Sequence, residues 1–153
     1  VLSKNPDIII LWWGMNNGGG DEEVDKEINA YKQMIRQTNA KVIIIPPLPV
    51  CSEPYIDTRN NQQTCSGRGY HLDGQNMDLR DYNSLELLSL KIKSENWGSN
   101  VFVMDIRSSL QDTFLQECCN DFFKEGDGIH PNEQGYNKIK DIIAEQWNLL
   151  PKC

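Results

Sequence analysis

The stretch Asp7-Ile8-Ile9-Ile10-Leu11-Trp12-Trp13 is a continuous apolar run rich in isoleucine. A run without alternating polar residues is typical of a strand that is buried on both faces, as strands of parallel sheets are. A second run of this kind extends from Lys41 to Ile45 and is ended by Pro46 and Pro47. These two segments predict strands of a parallel sheet and therefore indicate the α/β class of folds.

Helical and strand patterns alternate along the rest of the chain. Asp21 is a good N-cap, and the apolar residues after it recur at helical spacing, which predicts a helix as far as about Thr38. The next predicted elements are a helix over roughly Leu79 to Glu95 and a strand over Val101 to Ile106. A short helix over Phe114 to Phe123 follows. The final predicted helix has four apolar residues on one face: Tyr136, Ile139, Ile143 and Trp147. This alternation predicts one domain over residues 1–153, a three-layer α/β sandwich with a central parallel sheet and helices on both faces.

Composition and charge narrow the classes of function. With 153 residues, 39% apolar residues and a formal net charge of −7, the chain is typical of a globular domain. The negative charge argues against nucleic acid and anionic membranes as partners, because such partners need basic surfaces. The longest apolar runs, Ile8 to Trp13 and Val42 to Val50, are far too short to span a bilayer. The chain starts at Val1 directly before a strand-like segment, so we expect that an upstream segment was removed or left out.

The cysteine pattern gives information on the redox state of the protein's cellular compartment and on metal binding. The five cysteines are Cys51, Cys65, Cys118, Cys119 and Cys153. They form no C-x-x-C pair and lack histidines at zinc-ligand spacing, so we expect no metal site. Cys51 and Cys65 bracket a polar loop within the aperiodic residues 48 to about 79, and they can close it as a disulfide. A disulfide fits an oxidising, extracellular location; the open alternative is five buried or free thiols in a cytosolic protein.

Two loops contain candidate catalytic residues. The first is Gly14-Met15-Asn16-Asn17, directly after the first predicted strand. An asparagine at this place can direct its side-chain amide at a developing oxyanion, and glycine allows close approach of the backbone. The alternative interpretation is a simple turn, since Asn and Gly are common turn residues. Trp12 and Trp13 adjoin the loop. Strand alternation sends them to opposite faces, so at most one of them lines a substrate pocket, and we expect core packing for both.

The second loop is Asp127-Gly128-Ile129-His130-Pro131-Asn132, before the final helix. It holds one of only two histidines in the chain. His130 can accept a proton as a general base, and Asp127 can orient and stabilise the imidazole. The alternative is an ordinary loop at the start of a helix, in which Asp127 or Asn132 caps a backbone amide.

Together the two loops resemble conserved blocks of the SGNH hydrolases, also called GDSL esterases or lipases. The segment from Pro6 to Asn17 looks like the third block, which usually reads Gly-x-Asn-Asp after a buried strand. The segment from Asp127 to Asn132 looks like the fifth block, Asp-x-x-His, and is close to its common Asp-Gly-x-His-Pro form. The order of the elements agrees with the family over the whole chain, but the specificity of the resemblance rests on these two blocks.

The resemblance implies roles for individual residues. Asn16 becomes an oxyanion-hole donor, His130 the general base and later the general acid, and Asp127 the carboxylate that orients it. Gly14 and Asn17 belong to the substrate-binding loop, and Asn17 stands where the family usually has Asp. The implied activity is hydrolysis of acyl esters, with small molecules or O-acetylated carbohydrate as substrates, and it needs no metal or organic cofactor.

One part of the family's machinery is absent from this sequence. The family's nucleophilic serine lies in a Gly-Asp-Ser block after its first strand, upstream of everything seen here, and no serine of this chain has that context. Three explanations stay open. The chain is the C-terminal part of an enzyme whose N-terminal part, attached or as a companion chain, carries the serine; or it is a non-catalytic SGNH-like binding or structural subunit; or the match is accidental. Under the first explanation, the chain alone is expected to be nearly inactive, because loss of a triad member costs on the order of 10⁴-fold in rate.

Overall fold

The computed structural model describes residues 4–14, 20–49, 79–110, 122 and 130–150, and the short segments 55–57 and 62–64. In these two segments, and in residues 79–83, the description is limited to the backbone. Several predictions lie outside the described residues: the roles of Asn16, Asn17 and Asp127, the pairing of the five cysteines, and nearly all of the helix over Phe114 to Phe123.

The described elements alternate between strands and helices. In chain order they are β1 (Ile8–Leu11), α1 (Asp21–Ile35), β2 (Lys41–Ile44), β3 (Tyr55–Asp57), β4 (Gln62–Thr64), α2 (Leu79–Ser94), β5 (Val101–Val103) and α3 (Glu133–Trp147). Residues 106–110 add a further helical turn. β1, β2 and β5 form a parallel sheet with β2 in the middle, so that Val42 lies opposite both Ile9 and Val101.

Helices cover the sheet on both faces, which makes the three layers. On one face α1 and α2 pack against the sheet through a cluster of buried residues: Leu11, Val24, Ile28, Tyr31, Ile35, Val42, Ile44, Leu88 and Ile92. On the other face α3 and the helical turn pack through Ile43, Ile45, Leu48, Met104, Ile106, Leu110, Ile139 and Ile142. Successive residues of β2 therefore point into two different cores, and the predicted three-layer α/β fold with a central parallel sheet is confirmed.

Three boundaries differ from the sequence-based predictions. The N-cap of α1 is Gly20 and not Asp21, which is the first helical residue and belongs to an acidic first turn with Glu22 and Glu23. Negative charge at this end of a helix is favourable because it complements the helix dipole. β5 ends at Val103 and not Ile106, because Asp105 caps the helical turn that begins there. The aperiodic stretch contains an antiparallel pair, β3 and β4, whose three-residue strands are too short to show a period.

β1 departs from the prediction of a strand buried on both faces. It lies at the end of the strand order, with β2 on one side. Its residues Ile9 and Leu11 face the α1–α2 core, whereas Ile8 and Ile10 are 38% and 53% exposed. Among the described helices, none is long and apolar enough to cross a membrane.

Candidate active site

Segments that follow β2 and β5 meet at the carboxyl edge of the sheet. The guanidinium of Arg107, just after β5, donates hydrogen bonds to the carbonyl oxygens of Pro47 and Leu48, at 3.1 and 2.9 Å. Gly14, just after β1, lies against Pro47 and the α2 residue Leu88. In open α/β sheets ligands bind at this edge, outside the carboxyl ends of the strands. The first candidate loop therefore begins at the part of the fold where a site is expected.

Gly14 is a position that only glycine fits. It is buried, and its φ of +100° lies in the region that L side chains rarely adopt. A Cβ atom at this position would lie 2.7 Å from Leu88 Cδ2 and 3.4 Å from Pro47 Cγ. The glycine thus lets the chain turn tightly out of β1 while it contacts α2, and this fixes where the loop with Asn16 and Asn17 begins.

The other end of this loop is held as well. Gly20, with a φ of +80°, donates its backbone N–H to the hydroxyl of Ser84 on α2, at 3.0 Å. Its carbonyl oxygen accepts hydrogen bonds from the backbone amides of Glu23 and Val24, which starts α1. Both ends of the candidate oxyanion loop therefore contact the same helix.

The two tryptophans before the loop have different environments. Trp13 stacks on Tyr31, with ring centroids 4.1 Å apart, and its Nε1 donates to Glu27 Oε2 at 2.6 Å. Burial raises the pKa of the Tyr31 phenol, which donates weakly to the Trp13 carbonyl at 3.4 Å. Trp12 is 40% exposed, so the expectation of core packing holds for Trp13 and is wrong for Trp12. Trp12 points to the face of α3, as strand alternation predicts.

His130 is half-buried and lies on a short segment that is tied down at the start of α3. Asn132 is the N-cap of this helix, and its side-chain oxygen accepts from the Gly135 amide at 3.0 Å. The Asn132 amide in turn donates to the Phe122 carbonyl oxygen at 2.9 Å. The capping function considered for Asn132 is therefore present. It also fixes the backbone two residues after His130, so capping and a catalytic role of His130 are compatible.

Gly135 is a site residue that the sequence analysis did not single out. A Cβ atom here would lie 2.1 Å from the carbonyl oxygen of Phe122 and 2.9 Å from Cβ of Pro131. Only glycine therefore lets the first turn of α3 approach the Phe122 backbone and keep the hydrogen bond to Asn132. An isolated glycine in a helical pattern normally destabilises the helix, and this was a signal that a close contact exists at this position.

Asp105 links three elements next to the end of β5. Its carboxylate accepts from the Ser108 amide at 3.0 Å and from the Ser108 hydroxyl at 2.7 Å, and it lies 3.1 Å from Lys93 Nζ. Its carbonyl oxygen accepts from Gln146 of α3 at 3.0 Å. Burial alone raises the pKa of the Asp105 carboxyl, but the hydrogen bonds from Ser108 and the charge of Lys93 outweigh it and hold the pKa below its ordinary value.

We predict that Asp105→Asn destabilises the protein in a pH-dependent way. A carboxyl whose folded-state pKa is lowered stabilises the fold above its unfolded pKa of about 3.9, and this contribution disappears as pH falls through the folded pKa. At pH 7 we expect a loss of about 0.5–1 kcal/mol, allowing for solvent screening of the partly exposed ion pair between Asp105 and Lys93. The loss should vanish near pH 2. Urea unfolding at both pH values measures it, with Asp141→Asn as the control because Asp141 is exposed; a pH-independent loss would contradict the prediction.

Arg107 is a buried cation that fixes the segment following β2. Its side chain is 2% exposed and forms an ion pair with Glu86 on α2, with Nη2 and Oε2 at 2.5 Å. Together with the hydrogen bonds to Pro47 and Leu48, this pair connects the segments after β2 and β5 to α2. Its Nε has no hydrogen-bond partner within the described part of the chain. The network positions the carboxyl edge of the sheet and does not itself provide a reacting group.

We predict that Glu86→Gln destabilises the protein by about 2–4 kcal/mol. Removal of one partner of a buried ion pair typically costs 3–5 kcal/mol because the other charge stays buried and unpaired, and partial exposure of Glu86 reduces this somewhat. The matched control is Glu95→Gln, which removes an ion pair with Lys32 in which both side chains are partly exposed. That change should cost less than about 1 kcal/mol. Equal urea-unfolding free energies of the two variants would contradict the prediction.

Two aromatic residues near the candidate loops in sequence line one groove on the α3 face. Trp12, shortly before Gly14, and Tyr136, in the first turn after Asn132, both line an open groove along α3 with a volume of about 600 Å³. Gly14 and His130 are the predicted site residues with described positions, and the contacts of Asn16, Asn17 and Asp127 stay predictions. Within the described ranges no group of three or more His, Cys, Asp or Glu side chains could hold a metal ion.

Comparison with known proteins adds one structural relationship. No protein-family model and no curated protein matches the chain. Among solved structures, the chain is similar to the crystal structure of an acetyl xylan esterase, AlAXEase, with a TM-score of 0.56 and 19% sequence identity. The match covers 99% of this chain and 70% of that chain. The chain therefore has an esterase-like α/β fold, and at this identity the similarity shows the fold alone.

Proposed function

We propose that this chain is the C-terminal part of a serine-type carboxylic ester hydrolase of the SGNH class. His130 is its general base, Asp127 orients His130, and Asn16 is an oxyanion donor. Gly14 and Asn17 belong to the substrate-binding loop. The nucleophilic serine comes from a segment outside residues 1–153, attached or as a companion chain, so this chain alone is inactive. The substrates are acyl esters, including O-acetyl groups on carbohydrate.

The observation that carries the proposal is the position of Gly14 and His130, the described residues of the two motifs, within an esterase-like fold. The Gly14 loop follows β1 at the edge where α/β enzymes bind ligands, and it is held at both ends by α2. The His130 segment precedes α3 and is held by Asn132 and Gly135. Preorganisation of this kind supports catalysis, because a general base and an oxyanion donor must keep their geometry during the reaction.

The proposed reaction proceeds through an acyl-enzyme. The serine oxygen attacks the ester carbonyl carbon while His130 takes the serine proton, and Asn16 donates a hydrogen bond to the resulting oxyanion. His130 then gives the proton to the alcohol oxygen as the bond from carbon to that oxygen breaks. A water molecule, deprotonated by His130, attacks the carbonyl carbon of the acyl-enzyme. As the bond from this carbon to the serine oxygen breaks, His130 returns the proton to the serine oxygen and the carboxylic acid is released. Asp127 stabilises the imidazolium at each stage.

A second candidate is a non-catalytic SGNH-like binding or structural subunit. The observation that favours it is the lack of a Gly-Asp-Ser block in this sequence. In that case the fold and both loops would persist without a nucleophile. The two candidates therefore differ in whether a reactive serine exists in the complete protein.

A serine-directed fluorophosphonate probe distinguishes them. The complete protein, as its source makes it, is incubated with the probe and digested, and the labelled peptide is found by mass spectrometry. We expect one labelled serine outside residues 1–153, with loss of p-nitrophenyl acetate hydrolysis in proportion to labelling. A labelled serine inside this chain would contradict the proposed origin of the nucleophile. Absence of both labelling and hydrolysis would favour the non-catalytic subunit.

The proposed location is extracellular, with Cys51 and Cys65 joined as a disulfide. The support is the cysteine content of the sequence. Alkylation of the complete protein before and after reduction, followed by peptide mass mapping, tests it. Recovery of both cysteines as alkylated thiols without reduction would contradict this disulfide, and recovery of all five as thiols would argue for a reducing compartment.

A further inference from the structure

Trp13, the residue directly before the candidate oxyanion loop, is fixed to α1 by three contacts. Its ring lies nearly parallel to that of Tyr31, with the centroids 4.1 Å apart and the planes at 12°. Its Nε1 donates a hydrogen bond to Glu27 Oε2 at 2.6 Å, and its backbone carbonyl oxygen accepts from the Tyr31 hydroxyl at 3.4 Å. Helix α1 therefore holds both the ring and the backbone of Trp13.

The carboxylate of Glu27 lies at the border of the core and not on the solvated side of the helix. Glu27 is half-buried and lies between the buried residues Val24 and Tyr31, at spacings that place all three on one side of α1. Glu23, one turn earlier, forms an exposed ion pair with Lys26. A partly buried carboxylate loses hydration, and the hydrogen bond from the indole N–H compensates for this loss. The side chain of Glu27 is therefore directed at the sheet by a specific contact.

The contact with Glu27 fixes what the stacking of the rings leaves open. Stacked aromatic rings tolerate many offsets, so the Tyr31 ring alone does not determine how the indole is turned in its own plane. A hydrogen bond to an ionised acceptor is strong and directional, and it removes this freedom. Tyr31 cannot follow a displaced Trp13, because it is fully buried and its ring meets the edge of Trp97 at 6.0 Å. Glu27 therefore sets the orientation of Trp13 on an immobile ring.

A displacement of Trp13 reaches the candidate oxyanion loop without an intervening residue. Gly14 follows Trp13 directly and is packed so closely that a Cβ atom there would overlap with Leu88. The contacts of Gly14 and Gly20 with α2 fix the two ends of the loop, and the contacts of Trp13 add α1 at its start. The orientation of the chain that enters the loop therefore depends on both helices.

We propose that Glu27 is a positioning residue for the candidate oxyanion loop and that it acts through the indole of Trp13. This inference rests on the proposed function, in which Asn16 donates a hydrogen bond to the oxyanion. Glu27 keeps the start of the loop in the orientation that directs Asn16 at the oxyanion, and it does so without touching the substrate. Because a misplacement of about 1 Å can lower a rate by about 10²-fold, loss of this contact lowers kcat.

Substitutions of Glu27 in the complete protein test the proposal, with kcat measured well below each variant's thermal midpoint. Glu27→Met keeps the bulk of the side chain and removes the acceptor, so kcat for p-nitrophenyl acetate should fall about 10- to 100-fold with KM within about twofold. Glu27→Gln should keep kcat within about threefold, because its amide oxygen still accepts from the indole. Glu23→Gln is the matched control on the same helix and should leave kcat unchanged. Unchanged kcat in Glu27→Met, or an equal loss in Glu27→Gln, would overturn the inference.

Double-mutant cycles separate positioning from a general loss of stability. If Glu27 acts through the oxyanion donor, Glu27→Met should have little further effect on kcat when Asn16 is already replaced by alanine. Equal fold losses with and without Asn16→Ala would mean that Glu27 only stabilises the fold, and would overturn the inference. Trp13→Phe keeps an aromatic ring on Tyr31 and removes the donor, so it should lose as much activity as Glu27→Met. Additive losses in the variant with both changes would also overturn the inference.

Nuclear magnetic resonance of the complete protein tests the contact without reference to hydrolysis. The indole N–H resonance that is missing in Trp13→Phe should exchange slowly with water in the unmodified protein and rapidly in Glu27→Met. The backbone amide resonances of residues 14–20 should shift in Glu27→Met, and those of α3 should not. Unshifted amides over 14–20 in an active esterase would support the proposed function and overturn the role of Glu27. Shifted amides in a protein without ester hydrolysis would support the positioning by Glu27 and overturn the proposed function.

Discussion

Replacement of His130 by alanine in the complete protein is expected to lower kcat for hydrolysis of a short-chain p-nitrophenyl ester by on the order of 10⁴-fold or more. Without the imidazole no group accepts the serine proton during attack, and none returns a proton to the leaving alcohol. The effect on KM should be small, because the base acts in the transition state more than in substrate binding.

The chain provides its own control for this substitution, because it contains only one other histidine, His71. His71→Ala should leave kcat within about twofold, since no role in the reaction falls to it. Far-ultraviolet circular dichroism should show that the His130→Ala variant is folded. Full turnover by a folded His130→Ala variant would reject His130 as the base.

Gly135→Ala should destabilise the protein by about 2–4 kcal/mol, although Gly to Ala inside a helix normally stabilises by up to about 1 kcal/mol. The reason is that the added Cβ would overlap with the backbone oxygen of Phe122, which cannot rotate away as a side chain can. Relief of the overlap separates Phe122 from α3 and breaks its hydrogen bond with the Asn132 amide. The His130 segment then moves, so kcat should fall together with stability.

The neighbouring exposed residue Gln134 is the matched control for this prediction. Gln134→Ala also places alanine in the first turn of α3, but it changes stability by no more than about 0.5 kcal/mol, as surface substitutions usually do. Urea unfolding measures both free energies. A Gly135→Ala variant as stable as Gln134→Ala would mean that the start of α3 does not depend on contact with Phe122.

The parts of the fold that sequence could predict are those determined by neighbouring residues. Continuous apolar runs identified β1 and β2, and the spacing of Val24, Ile28 and Tyr31 identified the buried face of α1. The end of β5 could not be predicted in this way. Asp105 stops the strand by capping the next turn, and its contacts to Lys93 and Gln146 join elements far apart in sequence.

In the candidate site, too, the features that sequence could predict depend on neighbouring residues, and those it could not predict depend on contacts with distant residues. Glycine after a buried strand predicted a special backbone at Gly14, and Asn132 was a recognisable helix cap. The contacts that make these positions rigid come from elsewhere in the chain. Leu88 lies against Gly14, Ser84 holds Gly20, and Phe122 lies against Gly135. Arg107 was missed because a single basic residue after a strand carries no signal that it is buried.

The exposed edge of β1 has a consequence for handling the protein. Ile8 to Leu11 is an uncharged, strand-forming segment without proline, and among the described strands it pairs with β2 alone. A strand edge of this composition that stays unpaired is a template for strands of other molecules. Pro6 and Asp7 flank it on one side only, which limits such growth but does not prevent it. When residues 1–153 are produced alone, we expect aggregation that depends on concentration more than on temperature. The yield of folded protein should then depend on how quickly the edge of β1 pairs with another strand.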